Sequence, residues 1–152
     1  MSVFVNRFEI TESDIGREMQ YHPAPSQERA WQLAAQSLVI RQLLLQRAAE
    51  DGLFMTADDA EHGGPAEEAA IDRLLEENIT VPEADENTCR RFYETHPDSF
   101  HGEDSSERLA FDQVHSQIRD YLHTRAMRAA IAEYIRSLSY GAKIKGIELV
   151  NL

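Results

Sequence analysis

Cysteine is almost absent from this chain. Cys89 stands alone, so no intrachain disulfide can form and a disulfide-stapled secreted fold is excluded. No apolar run is long enough to span a bilayer. The N-terminal stretch from Met1 to Glu9 lacks a charged region followed by a long apolar run, so no signal peptide is expected. The expectation is a cytoplasmic setting with no membrane contact, although a mature chain that has shed a signal peptide reads the same way. Basic residues are scarce, 15 Lys and Arg against 27 Asp and Glu, for a formal net charge of −12. The deficit is local. Residues 51–107 hold three basic and seventeen acidic side chains, whereas residues 108–152 hold seven basic and four acidic. So acidic a surface argues against binding a nucleic-acid backbone, and the mildly basic last third does not reverse that. There is no internal repeat.

What is present is helix. Leu109 to Tyr140 contains neither Gly nor Pro, and its apolar residues recur at three- and four-residue steps. Phe111, Val114, Ile118, Tyr121 and Leu122 begin a stripe that Ala126, Ala129, Tyr134, Ile135 and Leu138 continue. At 1.5 Å per residue, about thirty residues make a rod of roughly 45 Å, which needs a long helix, a second chain or a client to cover it. Gly141 sits where a left-handed cap would end it. Ala142 to Val150 then alternates like a strand.

Taken in order, Val3 to Ile10 is a short strand with a possible bend at Asn6-Arg7. Thr11 or Ser13 caps a short helix over Asp14 to Met19. Tyr21-His22-Pro23-Ala24-Pro25 is an extended connector. Ser26 caps a second long helix that runs to about Asp51 and ends at Gly52. Its apolar residues cover more than half the circumference, so it is buried on more than one side and is the natural partner of the C-terminal helix. Phe54 to Gly64 is an acidic loop. Pro65 opens a third helix over Ala66 to Glu77, and a fourth covers Asp85 to Thr95, ended by His96-Pro97.

The order of these elements resembles the chaperone part of parvulin-type folding factors of the SurA, PrsA and trigger-factor style. It is most similar to the NifM-like branch of parvulin-type peptidyl-prolyl isomerases. The residues that carry the resemblance are Val5-Asn6 with Ile10, Leu38 to Ala48, Glu68 to Leu75, and Val81-Pro82-Glu83. They continue with Cys89 to Glu94, Pro97, Phe100, Leu109 to Val114, Tyr134-Ile135 and Gly146 to Leu149. In that family a parvulin domain of roughly a hundred residues, the size of a small domain, sits between the equivalents of Phe100 and Leu109. Here eight residues, His101 to Arg108, bridge the gap. The paired histidines and Gly-rich segment of the isomerase have no place to be, so the resemblance implies the chaperone module without the enzyme. A natural loss and a deliberate deletion read alike. The resemblance also implies that the N-terminal strand pairs with the C-terminal one, and the short bridge favours a domain-swapped homodimer.

Sites for other chemistry are thin. His96 and His101 flank Pro97, and His115 and His123 are eight apart, but HExxH is absent and Cys89 has no neighbouring ligand in sequence. Surface histidines explain the pattern. Glu103-Asp104 and Ser105-Ser106 invite a base and a nucleophile, yet no Gly-x-Ser-x-Gly elbow is present and a polar linker suffices. Cys89 beside Phe92 reads as a small buried hydrophobe. Gly63-Gly64 lies in an acidic context that repels phosphate.

The expectation is therefore an all-α, SurA N-terminal-like chaperone module with a small strand pair formed by the two chain ends. Residues 1–152 make one domain: 1–100 the N-terminal part, 101–108 the bridge, 109–152 the long helix and strand. Its expected function is ATP-independent binding of unfolded or nascent polypeptide, with no enzyme activity, cofactor or metal. Trp31, Phe92, Tyr93, Phe100, Tyr121 and Tyr134 are the candidate peptide-binding residues, although aromatics at helical spacing also serve a core. The alternative is a dimerisation scaffold without client binding.

Overall fold

The structure is a computed structural model that describes residues 2–53, 64–103 and 106–152. It is mostly helical, with five α-helices and one three-stranded antiparallel sheet among the described residues. The acidic loop from Phe54, with Asp58, Asp59, Glu61 and Gly63, lies outside the described residues, as do Asp104 and Ser105. No helix among the described residues is long and apolar enough to cross a membrane. The chain forms two compact units. Unit 1 comprises Met1–Asn78 and Ala132–Leu152, and unit 2 comprises Ile79–Ile131.

Unit 1 is built on a sheet of order β2-β1-β3, with β1 Val3–Val5, β2 Phe8–Ile10 and β3 Ile144–Lys145. The expected strand pair is thus a triplet. Asn6 takes φ 56 and turns the chain back on itself, so Val3–Ile10 is a hairpin with Val5 opposite Phe8. An Asn tolerates that left-handed backbone where most residues resist it. β1 also pairs with β3, Phe4 opposite Lys145 and Val5 opposite Ile144. Asn6 ties the junction: its N–H donates to Lys143 O at 2.7 Å, its Oδ1 accepts from Lys143 N–H at 2.9 Å, and its Nδ2 donates to Gln46 Oε1 at 2.6 Å.

The last strand is shorter than its alternation suggests. Gly146 takes φ 91 and ends β3, and the chain beyond it follows helix α2, Gln27–Glu50, instead of the sheet. Gln32 Nε2 donates to Glu148 O at 3.0 Å, and the Gln36 amide both donates to and accepts from the Val150 backbone, at 2.7 and 2.9 Å. One helical turn separates the two glutamines and two extended residues separate their partners, and these are nearly the same distance. Gly141 is not left-handed. Helix α5, Phe111–Tyr140, closes with i→i+3 bonds from Gly141 N–H to Leu138 O and Ala142 N–H to Ser139 O, which need no positive φ.

Capping sets the other helix bounds. Thr11 and Asp14 form a capping box on α1, Glu12–Glu18. Ser26 Oγ accepts from Arg29 N–H at the start of α2, and Gly52 at φ 77 follows its end. The principal neighbours of α2 are α1, α3 (Pro65–Asn78) and the hairpin, not α5 as its wide apolar arc suggested. Val3, Val5, Ile15, Ala34, Ala35 and Val39 are fully buried, and Trp31, Leu138, Ile147 and Leu149 pack against them. Each buried Val or Ile contributes about 1.5–3 kcal/mol. Arg41 of α2 bonds Glu67 at 3.0 Å and Glu68 at 2.6 Å on α3, and Glu67 is buried.

The apolar stripe of α5 is not buried along its length. Phe111, Val114, Ile118 and Ile135 are buried, but no residue from 119 to 134 is, and Ala126 and Ala129 are exposed. Periodicity marks a face without saying what covers it.

Candidate functional site

Unit 2 is organised by aromatic rings. Helix α4, Glu86–Thr95, is capped by Asp85, whose Oδ1 accepts from Thr88 N–H at 2.7 Å. The bond holds the exposed Asp85 carboxyl below its usual range. On the inner face of α4, Cys89 is fully buried with Phe111, Val114 and Ile118 of α5. Phe92, Tyr93, Phe100 and Leu122 pack around that centre. Tyr93 lies 5.6 Å from both Phe100 and Phe111, stacked on the first and edge-on to the second. Its hydroxyl donates to Leu109 O at 2.6 Å, so the ring's polar end is satisfied inside the fold.

The two ends of the segment between Phe100 and Leu109 meet. Leu109 N–H donates to Phe100 O at 2.7 Å, and His101 and Arg108 form an antiparallel bridge. Phe100 is held at φ 70, an uncommon conformation for a bulky residue, with its ring against Phe92 and Tyr93. Arg108 locks the arrangement. Its guanidinium bonds the carbonyls of Tyr93, His96 and Ser99 and lies 3.8 Å above the Tyr93 ring. A cation on the open carbonyls at a helix C-terminus gains from the helix dipole as well as from the ring. In sequence Arg108 is the last residue of the polar bridge His101 to Arg108. Its one available signal was an isolated Arg shortly after the helix-ending His96-Pro97.

Of the six candidate aromatics, four meet here. Tyr121 lies 5.5 Å from Phe92, which is 6.1 Å from Phe100, which stacks on Tyr93. Phe92, Tyr93 and Phe100 are half-buried, while Tyr121 is 53% exposed. Trp31 and Tyr134 belong to unit 1. Trp31 packs on the core of α2 and the hairpin, and Tyr134 is half-buried, its phenol pushed up by burial against the pull of Arg47. Next to Tyr121, a shallow cavity of about 360 Å³ is lined by Asp120, Thr124, Arg125 and Arg128.

Three of the described histidines are engaged within the fold. His96 stacks on Phe92 at 4.0 Å, and its Nδ1 lies 2.7 Å from Phe92 O, which makes that nitrogen the donor. His115 stacks on Phe111 at 4.8 Å, and His22 lies 3.0 Å from Glu18. Among the described residues no three His, Cys, Asp or Glu side chains come together as a metal set. Burial pushes the Cys89 thiol up, away from the thiolate a nucleophile needs. The site therefore offers ring faces, a guanidinium rim and one exposed tyrosine, the means for non-covalent binding. Comparison of the chain with protein-family models, with curated proteins and with solved structures gives no match.

Proposed function

We propose that this chain is an ATP-independent, peptide-binding chaperone module, allied to the NifM-like parvulin-type folding factors and SurA-like in architecture, without their isomerase domain. It works in the cytoplasm as a homodimer, and its clients are unfolded or nascent polypeptides. The observation that carries the reading is Tyr121, a large ring 53% exposed and in contact with Phe92 at the edge of an aromatic cluster. Such a ring offers a client side chain apolar area and stacking at little entropic cost. The pairing of Phe100 with Leu109 also supports it. The two ends of the bridge stand side by side, so a whole domain carried there would leave the cluster intact.

The test is aggregation suppression without ATP. A denatured client diluted into the protein at near-equimolar ratio stays clear, and Tyr121→Ala weakens the effect while the far-ultraviolet circular dichroism is unchanged. Turbidity that persists at several-fold excess overturns the reading. No prolyl isomerase activity is expected, and turnover of a proline peptide would sink that part.

The scaffold alternative is favoured by one observation. The half-buried Met127, Ala130 and Ile131 share one side of α5 in a stretch with no buried residue, which suits a helix from a second copy. Light scattering decides it. A monomer at micromolar concentration removes both the scaffold and the dimer.

A further inference from the structure

Unit 1 contains a concavity of its own. It measures about 410 Å³, within the roughly 300–1,000 Å³ of ligand pockets. Its lining is mixed: Phe8 and Ile10 of β2 and Leu38 and Leu45 of α2 are apolar, and most of the rest, from Asp14 to Glu67, are polar or charged. Gln42 lines it too. That residue is 4% exposed, and its Nε2 has no hydrogen-bond acceptor. An unmet buried donor is a cost to the fold.

The charges around the cavity are already committed. Arg17 bonds Asp14 at 2.6 Å, His22 lies 3.0 Å from Glu18, and Arg41 is shared between Glu67 and Glu68. An ionic ligand would have to break one of these pairs, whereas an uncharged one would not. The sheet supplies a further constraint. β2 is an edge strand. Asn6 N–H bonds Lys143 O, which fixes the alternation of the ladder: Phe4 faces β3, Val3 and Val5 face β2, and Phe8 and Ile10 face β1. By the same alternation the N–H and C=O of Glu9 point away from the sheet, as in sheets that accept an added strand.

We propose that this pocket takes an uncharged, extended peptide segment with one large apolar side chain. Its main chain pairs with Glu9 on the free edge of β2. Its apolar side chain enters among Phe8, Ile10, Leu38 and Leu45. One of its carbonyls accepts from the Gln42 amide, which turns into the cavity about its soft terminal torsion. The proposal deepens the chaperone reading, on which it rests for the source of such segments. It names their chemistry at a contact separate from the Tyr121 cluster.

The test is a nuclear magnetic resonance titration of the full chain. The probe is a blocked, uncharged pentapeptide with leucine at its centre and serine and threonine around it. The expected result is saturable shifts of the Gln42 side-chain amide and of the Glu9 backbone amide, with slowed exchange at Glu9. Gln42→Leu keeps the shape and removes the donor, so its melting temperature equals or exceeds that of the parent while the peptide binds roughly three- to tenfold more weakly. Unshifted Gln42 and Glu9 signals at millimolar peptide overturn the proposal. So does a Gln42→Leu protein that binds equally well, or one that melts lower, because its amide was then already satisfied. If N-acetyl-leucine amide binds as tightly as the pentapeptide, the pocket is a small-molecule site and the strand contact falls. Tyr121→Ala leaves this titration unchanged. If aggregation suppression persists while the titration fails, only this inference is lost.

Discussion

Unit 1 joins Val5 to Ile144 and Gln36 to Val150, residues more than a hundred positions apart, whereas unit 2 is one continuous stretch closed around Tyr93 and Phe111. Their cores differ in kind. Unit 1 packs Val, Ile, Leu and Ala against a sheet, and its distant segments are fastened by side-chain amides of Asn6, Gln32, Gln36 and Gln46 to backbone. Unit 2 packs rings, and its loop is fastened by one guanidinium. Closing a loop of well over a hundred residues costs chain entropy that a local contact does not. Unit 1 is therefore complete only when the last residues are in place. Each unit carries a unique probe, Trp31 in unit 1 and Cys89 in unit 2, so the contrast is directly measurable.

Deletion of residues 141–152 has the largest expected effect. It removes β3, the Asn6–Lys143 bonds and both glutamine clamps, at a cost above about 3 kcal/mol. The urea midpoint followed by Trp31 fluorescence falls further than Cys89 labelling accelerates, and equal losses would break the contrast. Gly146→Ala comes next. The left-handed φ and a new Cβ 2.9 Å from Ser2 O together cost about 2 kcal/mol or more, again read at Trp31.

Arg108→Ala probes unit 2. It removes one donor from each of three carbonyls, two of which keep a backbone N–H donor, and removes the contact with Tyr93, for about 2 kcal/mol. The readout is faster reaction of the native protein with a thiol reagent at Cys89. Arg108→Lys restores only part, because an ammonium lacks the planar fork. A labelling rate unchanged by Arg108→Ala would mean that the loop is held by its rings alone.

The smallest effect belongs to the cap of α1. Thr11→Ala costs about 1 kcal/mol. Burial pushes the Asp14 carboxyl up, but hydrogen bonds from Thr11 and Arg17 outweigh it, so its folded pKa is lowered. A lowered folded pKa stabilises above the ordinary carboxylate range, and that contribution is lost as pH falls through the folded value. Melting temperature against pH then shows a steeper acid limb for the parent than for Asp14→Asn. Parallel limbs would assign the acid sensitivity elsewhere.

The helices were legible because their signals are local. Ser26 caps α2 and Gly52 follows its end, and Thr11, one of the two caps offered, is the cap of α1. The site was legible in part. Phe92, Tyr93 and Phe100 lie close together in sequence and meet in space, and Tyr121 joins them from α5. Trp31 and Tyr134 share only their ring chemistry with that group and sit in unit 1. Arg108, Gln36 and Gln42 were not found, since a polar side chain reveals its role only through a partner that its own sequence neighbours do not name.

By itself the sequence determined the excess of acidic side chains, the exclusion of a disulfide framework, the Ser26 cap of α2 and the turn-forming Asn6-Arg7 pair. Composition, charge and the first turn of a helix depend on a few adjacent residues. Only the tertiary structure decided that the ends form a triplet of strands, that Gly146 and not Gly141 carries the positive φ, and that no residue in the middle of α5 is fully buried. Those outcomes are set by which distant surfaces meet, and a periodic pattern of side chains is equally satisfied by several partners.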